Sequence, residues 1–324
     1  MKELKETKQL IQEYMRKIVR GDSSEIAILH GSIQLAQETV FQNLFNEGDS
    51  ILVVGTEYSA SRLEMMAKLS KLKTISIPVN EELPYDTILE VLNKEDIKAI
   101  LLPLVEEGSG VFYRLRELHK VIHDHNVLLI VSVDDSLLMN PFYFEEAGVD
   151  VAISALMNPI HKTNFSFVAL SSKAYERLLT NPHHFLNLKK MCELDNDTCE
   201  KELVLVDTYK ELANLLRLIT YYEMWQWNHY FGALTTYLRN TISQIGYHTI
   251  PIQNHSNSHI LIKLDKGEDA LWIRNTIYKM SHLVIDVQDE YTLVINMNHY
   301  MHIFDTLRLI DALSKIRDTC QGLK

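Results

Sequence analysis

Short apolar runs alternate with stretches of helical periodicity from residue 26 onward. The runs are rich in Ile, Val and Leu and are bounded by turn-forming residues, which is typical of buried strands. They read EIAILHGS, DSILVVG, KTISIPV, IKAILLPLV, VLLIVSV, DVAISAL and FSFVALS. Because strands that alternate with helices are covered on both faces, the pattern predicts a three-layer α/β domain with a mostly parallel sheet.

Between these runs, apolar positions recur with the period of an α-helix. The predicted helices run from the end of EIAILHGS to Phe45, over residues 59–72, over residues 84–94, and along YRLRELHKVIHDHN. A charged amphipathic helix is also predicted at the N-terminus, from Met1 to Arg20.

The alternation of strand and helix patterns stops after Ser172. From there, helical segments lead into a long aromatic helical region over residues 206–245. The remaining chain, with HILIKLD, LVIDV and YTLVINM followed by an amphipathic helix, predicts a small α+β domain. We therefore divide the chain into a large α/β domain over residues 1–232 and a small C-terminal domain over residues 233–324.

Composition narrows the class of protein. Apolar residues make up 46% of the chain and charged residues 23%, as in an ordinary globular protein. The formal net charge of −11 disfavours nucleic-acid binding, which needs a basic surface. No apolar run is long enough to cross a membrane, and we expect a cytoplasmic protein. The three cysteines are interpreted as reduced thiols.

Histidines and aromatic residues are the other candidates for chemistry. His119 and His123 stand four apart on a predicted helix but lack the glutamate of a His-Glu-x-x-His zinc site, so we predict no metal. The segment YYEMWQWNHYF, residues 221–231, could face a ligand, but helical spacing favours a core or subunit interface.

Three segments carry a resemblance to a known family. They are HGSIQLAQETVFQNLFNEGDSILVVGTEYSASR, EEAGVDVAIS and YTLVINMNHYMHIFDTLRLIDALSKI. Their order and spacing are similar to those of the aminotransferase class V family of fold-type-I pyridoxal-phosphate enzymes, which includes alanine–glyoxylate and serine–pyruvate aminotransferases. The resemblance implies a homodimer, a small anionic or amino-acid-like ligand and, if the chain is active, pyridoxal phosphate as cofactor. It also implies that the family's N-terminal arm is shortened here.

The resemblance places the cofactor phosphate at Gly31, Ser32 and Ile33, where a helix N-terminus offers free N–H groups to an anion. The alternative is that Ser32 only caps the helix. Tyr58 is the candidate ring that stacks on the pyridine, although strict register puts Ser59 there. An exposed loop tyrosine is the alternative.

A carboxylate must bond the pyridine nitrogen if the ring is to act as an electron sink. The family register places Ser132 at this position, and Asp134 and Asp135 follow it. Either aspartate could serve only if the strand were longer by about two residues. The alternative is a turn or capping carboxylate.

The Schiff-base lysine of the family falls at Asn158, whether it is counted from Asp150 or from Ser132. Lys162, after His161 in a His-Lys-Thr segment, could replace it only if the loop were rebuilt. The alternative for Lys162 is a solvated loop lysine.

The arginine that holds the substrate carboxylate falls at Val294. Loss of Asp, Lys and Arg at Ser132, Asn158 and Val294 leads to the first hypothesis, an aminotransferase-like homodimer with a non-catalytic or altered function. The competing hypothesis is an active pyridoxal-phosphate enzyme that uses Lys162, a carboxylate of Asp134 or Asp135, and Tyr58.

Overall fold

The computed structural model describes residues 1–79, 81–106, 108–134, 136–158, 163–179, 186–251, 253–297 and 302–322. It divides into two compact units. The large unit comprises residues 1–104, 113–137 and 142–224, and the small unit comprises residues 105–112, 138–141 and 225–324.

Within the described residues, strands and helices alternate along the large unit. Its strands are β1 (Glu25–His30), β2 (Ser50–Gly55), β3 (Lys73–Pro78), β4 (Ile97–Pro103), β5 (Leu128–Asp134), β6 (Val151–Asn158) and β7 (Thr163–Leu170). Its helices are α1 (Lys2–Val19), α2 (Ile33–Leu44), α3 (Glu57–Leu69), α4 (Tyr85–Lys94), α5 (Leu115–Ile122), α6 (Ser172–Glu176), α7 (Leu188–Cys192), α8 (Asn196–Lys201) and α9 (Val206–Ile219).

The strands of the large unit form one sheet in the order β1-β7-β6-β5-β4-β2-β3. Strand β7 is antiparallel to both of its neighbours, β1 and β6, whereas the other pairs are parallel. All strands except β7 therefore run in one direction, and the predicted mostly parallel α/β fold is confirmed. Their carboxyl ends meet at one edge of the sheet.

Helices α2, α3 and α7 cover one face of this sheet. Their buried side chains form a core cluster with alternate residues of the strands, such as Ala27 and Leu29 of β1. Since side chains alternate along a strand, Ile26 and Ile28 point to the opposite face. On that face Phe165 of β7 packs against Tyr209 of α9, with ring centroids 5.2 Å apart.

A buried lysine connects α1 to the segment that leads into α9. Lys8 is only 2% exposed and forms an ion pair with Glu202. Its ammonium also lies 4.7 Å from the centroid of the Tyr209 ring. A buried ammonium needs a charged partner to offset its lost hydration, and Glu202 supplies that partner.

The small unit is built on a four-stranded antiparallel sheet. Its elements are α10 (Met224–Gln244), β8 (His248–Ile250), β9 (His259–Lys263), α11 (Ala270–Ser281), β10 (Asp286–Asp289), β11 (Thr292–Asn296) and α12 (Ile303–Gly322). The strand order is β10-β11-β9-β8. Residues of α10, α11 and α12 form a core cluster with one face of this sheet, which includes Ile260 and Leu293.

Three local predictions differ from the structure. The helical region predicted over residues 206–245 is two helices. Helix α9 ends at Ile219, and the hydroxyl of the following Thr220 donates a hydrogen bond to the Leu216 carbonyl. Helix α3 begins at Glu57 rather than at residue 59, because Thr56 accepts a hydrogen bond from the backbone N–H of Ser59. The three-residue strand β8 is too short to leave a periodic signal.

Candidate functional site

The carboxyl edge of the large sheet gathers most of the predicted site residues of the large unit. Gly31 and Ser32 follow β1, Thr56 to Tyr58 follow β2, and Ser132 to Asp134 end β5. Ligands of parallel α/β sheets bind outside this edge, where the strand ends leave a crevice. The topology therefore brings the candidate phosphate, ring and carboxylate positions to one edge.

Ser32 caps the N-terminus of α2. Its hydroxyl oxygen accepts a hydrogen bond from the backbone N–H of Leu35 at 3.4 Å. Gly31 is closely approached, because a Cβ there would lie 2.5 Å from a Leu35 methyl carbon. The Ile33 side chain joins the core cluster, so only its backbone faces the helix end. The capping role of Ser32 is present, and the helix end retains the dipole that favours an anion.

Ser132 is an uncharged, buried residue, and among the described residues its hydroxyl has one hydrogen-bond partner. Its hydroxyl accepts a hydrogen bond from the Gln37 side-chain amide of α2 at 3.3 Å. Ser132 is 2% exposed and Gln37 1% exposed. The position at which the family register requires a carboxylate thus holds a pair of neutral polar side chains.

Asp134 is the last residue of β5, so the strand does continue two residues beyond Ser132. The pairing with β6 shifts register between these two residues. Asp134 has a φ of 48°, a conformation that non-glycine residues seldom adopt. Its carboxylate accepts a hydrogen bond from the Arg62 guanidinium of α3 at 3.4 Å. A cation of the protein itself therefore contacts the candidate carboxylate. Asp135 lies outside the described residues.

Tyr58 is in the first turn of α3 rather than in a loop, and its side chain is 59% exposed. The neighbouring Ser59 is buried, and among the described residues its hydroxyl has no hydrogen-bond partner. The residue at the family's aromatic register is therefore a buried serine, while the tyrosine beside it faces solvent.

Strands β6 and β7 form a hairpin in which Asn158 pairs with Thr163. Asp150 fixes the other end of the hairpin. Its carboxylate accepts hydrogen bonds from the backbone N–H of Leu129 and from Ser171, and it pairs with Lys173. His161 and Lys162 lie outside the described residues, so their roles in the site stay predictions.

Val294 lies in β11 of the small unit, where it is 7% exposed and pairs with Leu261 of β9. The loop that contains Gly110 lies against Leu261, because a Cβ on Gly110 would come 3.1 Å from a methyl carbon of that residue. Gln288 donates a hydrogen bond to the Gly108 carbonyl of the same loop. Val294 therefore takes part in apolar packing within the small unit.

Burial shifts the pKa values of three groups that could be reactive if exposed. It raises the pKa of the Cys192 and Cys199 thiols, so both remain protonated at neutral pH. It lowers the pKa of Arg239 to about 10, and this arginine donates to the carbonyls of Ile250 and His259. Arg239 stays charged at neutral pH and links the ends of β8 and β9.

In the part of the chain that the structure describes, no three His, Cys, Asp or Glu side chains come together as a metal-binding group. The described helices also include none that is long and apolar enough to cross a membrane.

Comparison with known proteins agrees with this architecture. Residues 1–159 match the family model described as Aminotransferase class-V. An uncharacterized aminotransferase of Methanocaldococcus jannaschii is 21% identical over 183 residues. That match covers 55% of this chain and 48% of the relative, so it spans about half of the relative's length.

Solved structures match over almost the whole chain. Alanine–glyoxylate aminotransferase from Nostoc sp. matches with a TM-score of 0.84 and 19% identity. The match covers 96% of this chain and 86% of that chain. An aspartate aminotransferase of subgroup IV from Thermus thermophilus matches with a TM-score of 0.80 and 19% identity. The match covers 98% of this chain and 92% of that chain. Pyridoxamine–pyruvate aminotransferase from Mesorhizobium loti matches with a TM-score of 0.81 and 16% identity. The match covers 99% of this chain and 85% of that chain.

The chain has the α/β fold of these solved aminotransferases. The match of residues 1–159 to the aminotransferase class-V model confirms the resemblance seen in the sequence.

Sequence reasoning missed two residues of the site, Gln37 and Arg62. Both are helical residues whose side chains reach the end of β5 from the covering helices. Gln37 could have been noticed as a polar residue on the apolar face of α2, next to Ala36 and Val40. Arg62 stands one turn after Tyr58, but the sequence alone does not show that it turns toward Asp134.

Proposed function

We propose that this chain is an aminotransferase-like protein that does not transaminate and that acts as a non-catalytic or altered-function homodimer. The observation that carries the proposal is the neutral pair of Ser132 and Gln37 at the end of β5. A neutral pair cannot hold a pyridine nitrogen in its protonated form, which the electron-sink chemistry of the cofactor requires.

Two further positions support the proposal. Asn158 stands at the family's lysine register and ends β6. Val294 stands at the register of the substrate-binding arginine and is buried in apolar packing. A valine and an asparagine supply neither a guanidinium for a carboxylate nor an amine for a carbonyl group.

The residues at the strand edge fit one end of pyridoxal phosphate. The N-terminus of α2, with Gly31 and Ser32, can hold a phosphate on backbone N–H groups. When bound, the cofactor supplies an aldehyde and an electron-withdrawing ring. The protein's own contribution would be to bind the phosphate at α2 and to contact the ring side with Ser132. A small anionic or amino-acid-like ligand would use the same helix end.

The decisive experiment mixes the purified protein with pyridoxal phosphate, reduces it with borohydride and searches for a lysine adduct by mass spectrometry. We expect no adduct at Lys162. A stoichiometric adduct at Lys162 that is lost in Lys162→Ala, but retained in the control Lys173→Ala, would overturn the proposal. That outcome would support the active enzyme with Lys162 and Asp134.

The homodimer is proposed from the exposed apolar side chains as well as from the resemblance. The aromatic segment over residues 221–231 contributes both to the core and to the surface. Phe231 is buried, whereas Tyr221 is 80% exposed and Tyr222 52% exposed. Large exposed aromatic residues are enriched at protein interfaces.

A further inference from the structure

Helix α10 has an outer face without acidic or basic side chains. Among its residues, all of which the structure describes, Arg239 is the only Asp, Glu, Lys or Arg. Arg239 is 7% exposed and donates hydrogen bonds to backbone carbonyls, so it does not reach this face. The exposed residues of α12, in contrast, include Arg308, Asp311 and Lys315. Since a solvated helix face usually carries such charges, the outer face of α10 has the composition of a covered surface.

The same face carries large aromatic side chains. Trp225 is 56% exposed, Tyr230 40% and Tyr237 43%. The two tyrosines are seven residues apart in the sequence, so they lie on one line along the helix, about 10 Å from each other. Protein interfaces are enriched in Tyr and Trp and depleted of Lys, Glu and Asp. The outer face of α10 therefore has the residue types of an interface.

Small side chains lie between the aromatic ones. Ala233 and Thr236 are exposed, and the helical repeat places both between Trp225 and the line of the two tyrosines. Small residues at a contact let two helices approach closely. If two antiparallel copies of α10 cross at Ala233, Tyr230 of one copy lies beside Tyr237 of the other, because position 233 is midway between them.

Charge decides which partner this face fits. The chain has a formal net charge of −11, so two copies repel each other wherever their carboxylates meet. The outer face of α10 brings no carboxylate to a contact, and two copies can meet there without juxtaposed like charges. A basic partner would find no carboxylate on this face to pair with. The face therefore fits a second copy of the same chain.

We propose that α10 forms a two-fold helix–helix contact between two copies of this chain, with the helices crossing at Ala233. The inference rests on the homodimer proposed above and assigns a surface to it. A stripe about 30 Å long and about 10 Å wide offers about 300 Å² per copy, less than the about 800 Å² of a standard interface. Helix α10 is thus the centre of the contact, and other exposed residues complete it.

The test is sedimentation equilibrium of the full-length chain across a concentration series. Ala233→Glu places one carboxylate from each copy at the crossing, so the dimer dissociation constant should rise by at least about 100-fold. Gln9→Glu is the matched control, because it adds the same charge at an exposed position of α1. It should leave the dissociation constant unchanged. Far-UV circular dichroism of both variants should match the wild type, since both positions are exposed.

A charge swap separates a lost contact from lost folding. Ala233→Lys alone should also dissociate, whereas an equimolar mixture of Ala233→Glu and Ala233→Lys should dimerise again, because opposite charges then meet at the crossing. Mixing two misfolded variants would restore nothing. In the wild type, raising the salt concentration from about 0.05 M to about 0.5 M should not weaken the dimer, because the contact contains no ion pair.

An unchanged dissociation constant in Ala233→Glu, or a mixture that stays monomeric, would overturn the inference. If Ala233→Glu leaves the dimer intact while Tyr221→Ser/Tyr222→Ser breaks it, the α10 contact is wrong and the proposed homodimer stands. A wild type that is monomeric at every concentration would overturn both.

Discussion

At the scale of single residues, Gly148 is a position where an added side chain would meet close contacts. Its φ is +62°, and a Cβ built on it would lie 2.2 Å from Nδ1 of His119. We expect Gly148→Ala to lower the free energy of unfolding by about 3 kcal/mol, from left-handed strain and displacement of the imidazole together. Urea unfolding followed by circular dichroism measures this loss.

The matched control is Gly48→Ala. Gly48 has a φ of +89°, but a Cβ on it would meet no atom of the described residues within 4 Å. In this variant the free energy of unfolding should fall only by the cost of the left-handed backbone conformation, about 1 kcal/mol. Equal losses for the two variants would show that contact with His119 contributes nothing.

The residue scale also shows where prediction from sequence ends. The apolar run VLLIVSV predicted a strand that includes Ser132, and β5 spans Leu128–Asp134. The run could not identify the partner of Ser132, because Gln37 is distant along the chain and reaches it only after α2 packs on the sheet. The same holds for Arg62 and Asp134.

At the scale of elements, the contacts of α1 with the rest of the large unit include the buried Lys8–Glu202 ion pair. Lys8→Met should cost about 3 kcal/mol of unfolding free energy, because Glu202 is left without its partner. The double variant Lys8→Met/Glu202→Leu should recover part of that loss.

The same region of the fold offers an exposed control pair, Lys210 with Glu3, at 2.7 Å. Because solvent screens this pair, Lys210→Met should cost much less unfolding free energy than Lys8→Met. Thermal unfolding of both variants would compare them. A Lys8→Met loss no larger than that of Lys210→Met would exclude the anchoring role of the buried pair.

The start of α12 gives a prediction about pH. Asp305 accepts a hydrogen bond from the backbone N–H of His302 and pairs with Arg308, and these contacts hold the pKa of its carboxyl below the ordinary 3.8. Because the pKa is lowered on folding, the stabilisation is complete above pH 3.8 and is lost as pH falls through the folded-state pKa.

Asp305→Asn should therefore cost about 1 kcal/mol at neutral pH, as loss of a capping carboxylate does. The difference between wild type and variant should shrink below pH 3.8. Urea titrations at several pH values measure it. A difference that stays constant down to the acid limit would contradict the role of the charge.

Element boundaries were predicted less well than element types. Helix α3 starts earlier than its apolar periodicity because Thr56 supplies a cap, and β8 is visible only through its pairing with β9. Helix caps and short strands depend on individual hydrogen bonds. The periodicity of apolar residues shows only which face of a helix or strand packs against the core.

At the scale of the whole molecule, the alternation of strands and helices was enough to predict a mostly parallel sheet. The strand order was not, because the antiparallel insertion of β7 between β1 and β6 is set by contacts far apart in sequence. The change of pattern after Ser172 predicted the two-part organisation. The predicted site chemistry came from the family resemblance, and the assignments of Ser132 and Val294 stay predictions.

The last prediction concerns the proposed homodimer. Leu218, Tyr221 and Tyr222 are exposed at the end of α9, and the two tyrosine rings lie edge to face at 5.2 Å. A two-fold interface contains the same patch of each subunit, so a substitution in the patch removes contacts twice in the dimer. Tyr221→Ser/Tyr222→Ser should raise the dimer dissociation constant by at least about 30-fold, equivalent to about 2 kcal/mol.

Sedimentation-equilibrium centrifugation across a concentration series measures this change. Val204→Ser is the control, because Val204 is 88% exposed but lies away from this aromatic pair in sequence. It should leave the dissociation constant unaltered. A wild type that stays monomeric at all concentrations would contradict the homodimer, and an unaltered dimer in the double variant would move the interface to another exposed surface. Urea unfolding of the wild type and the double variant separates a loss of assembly from a loss of folding.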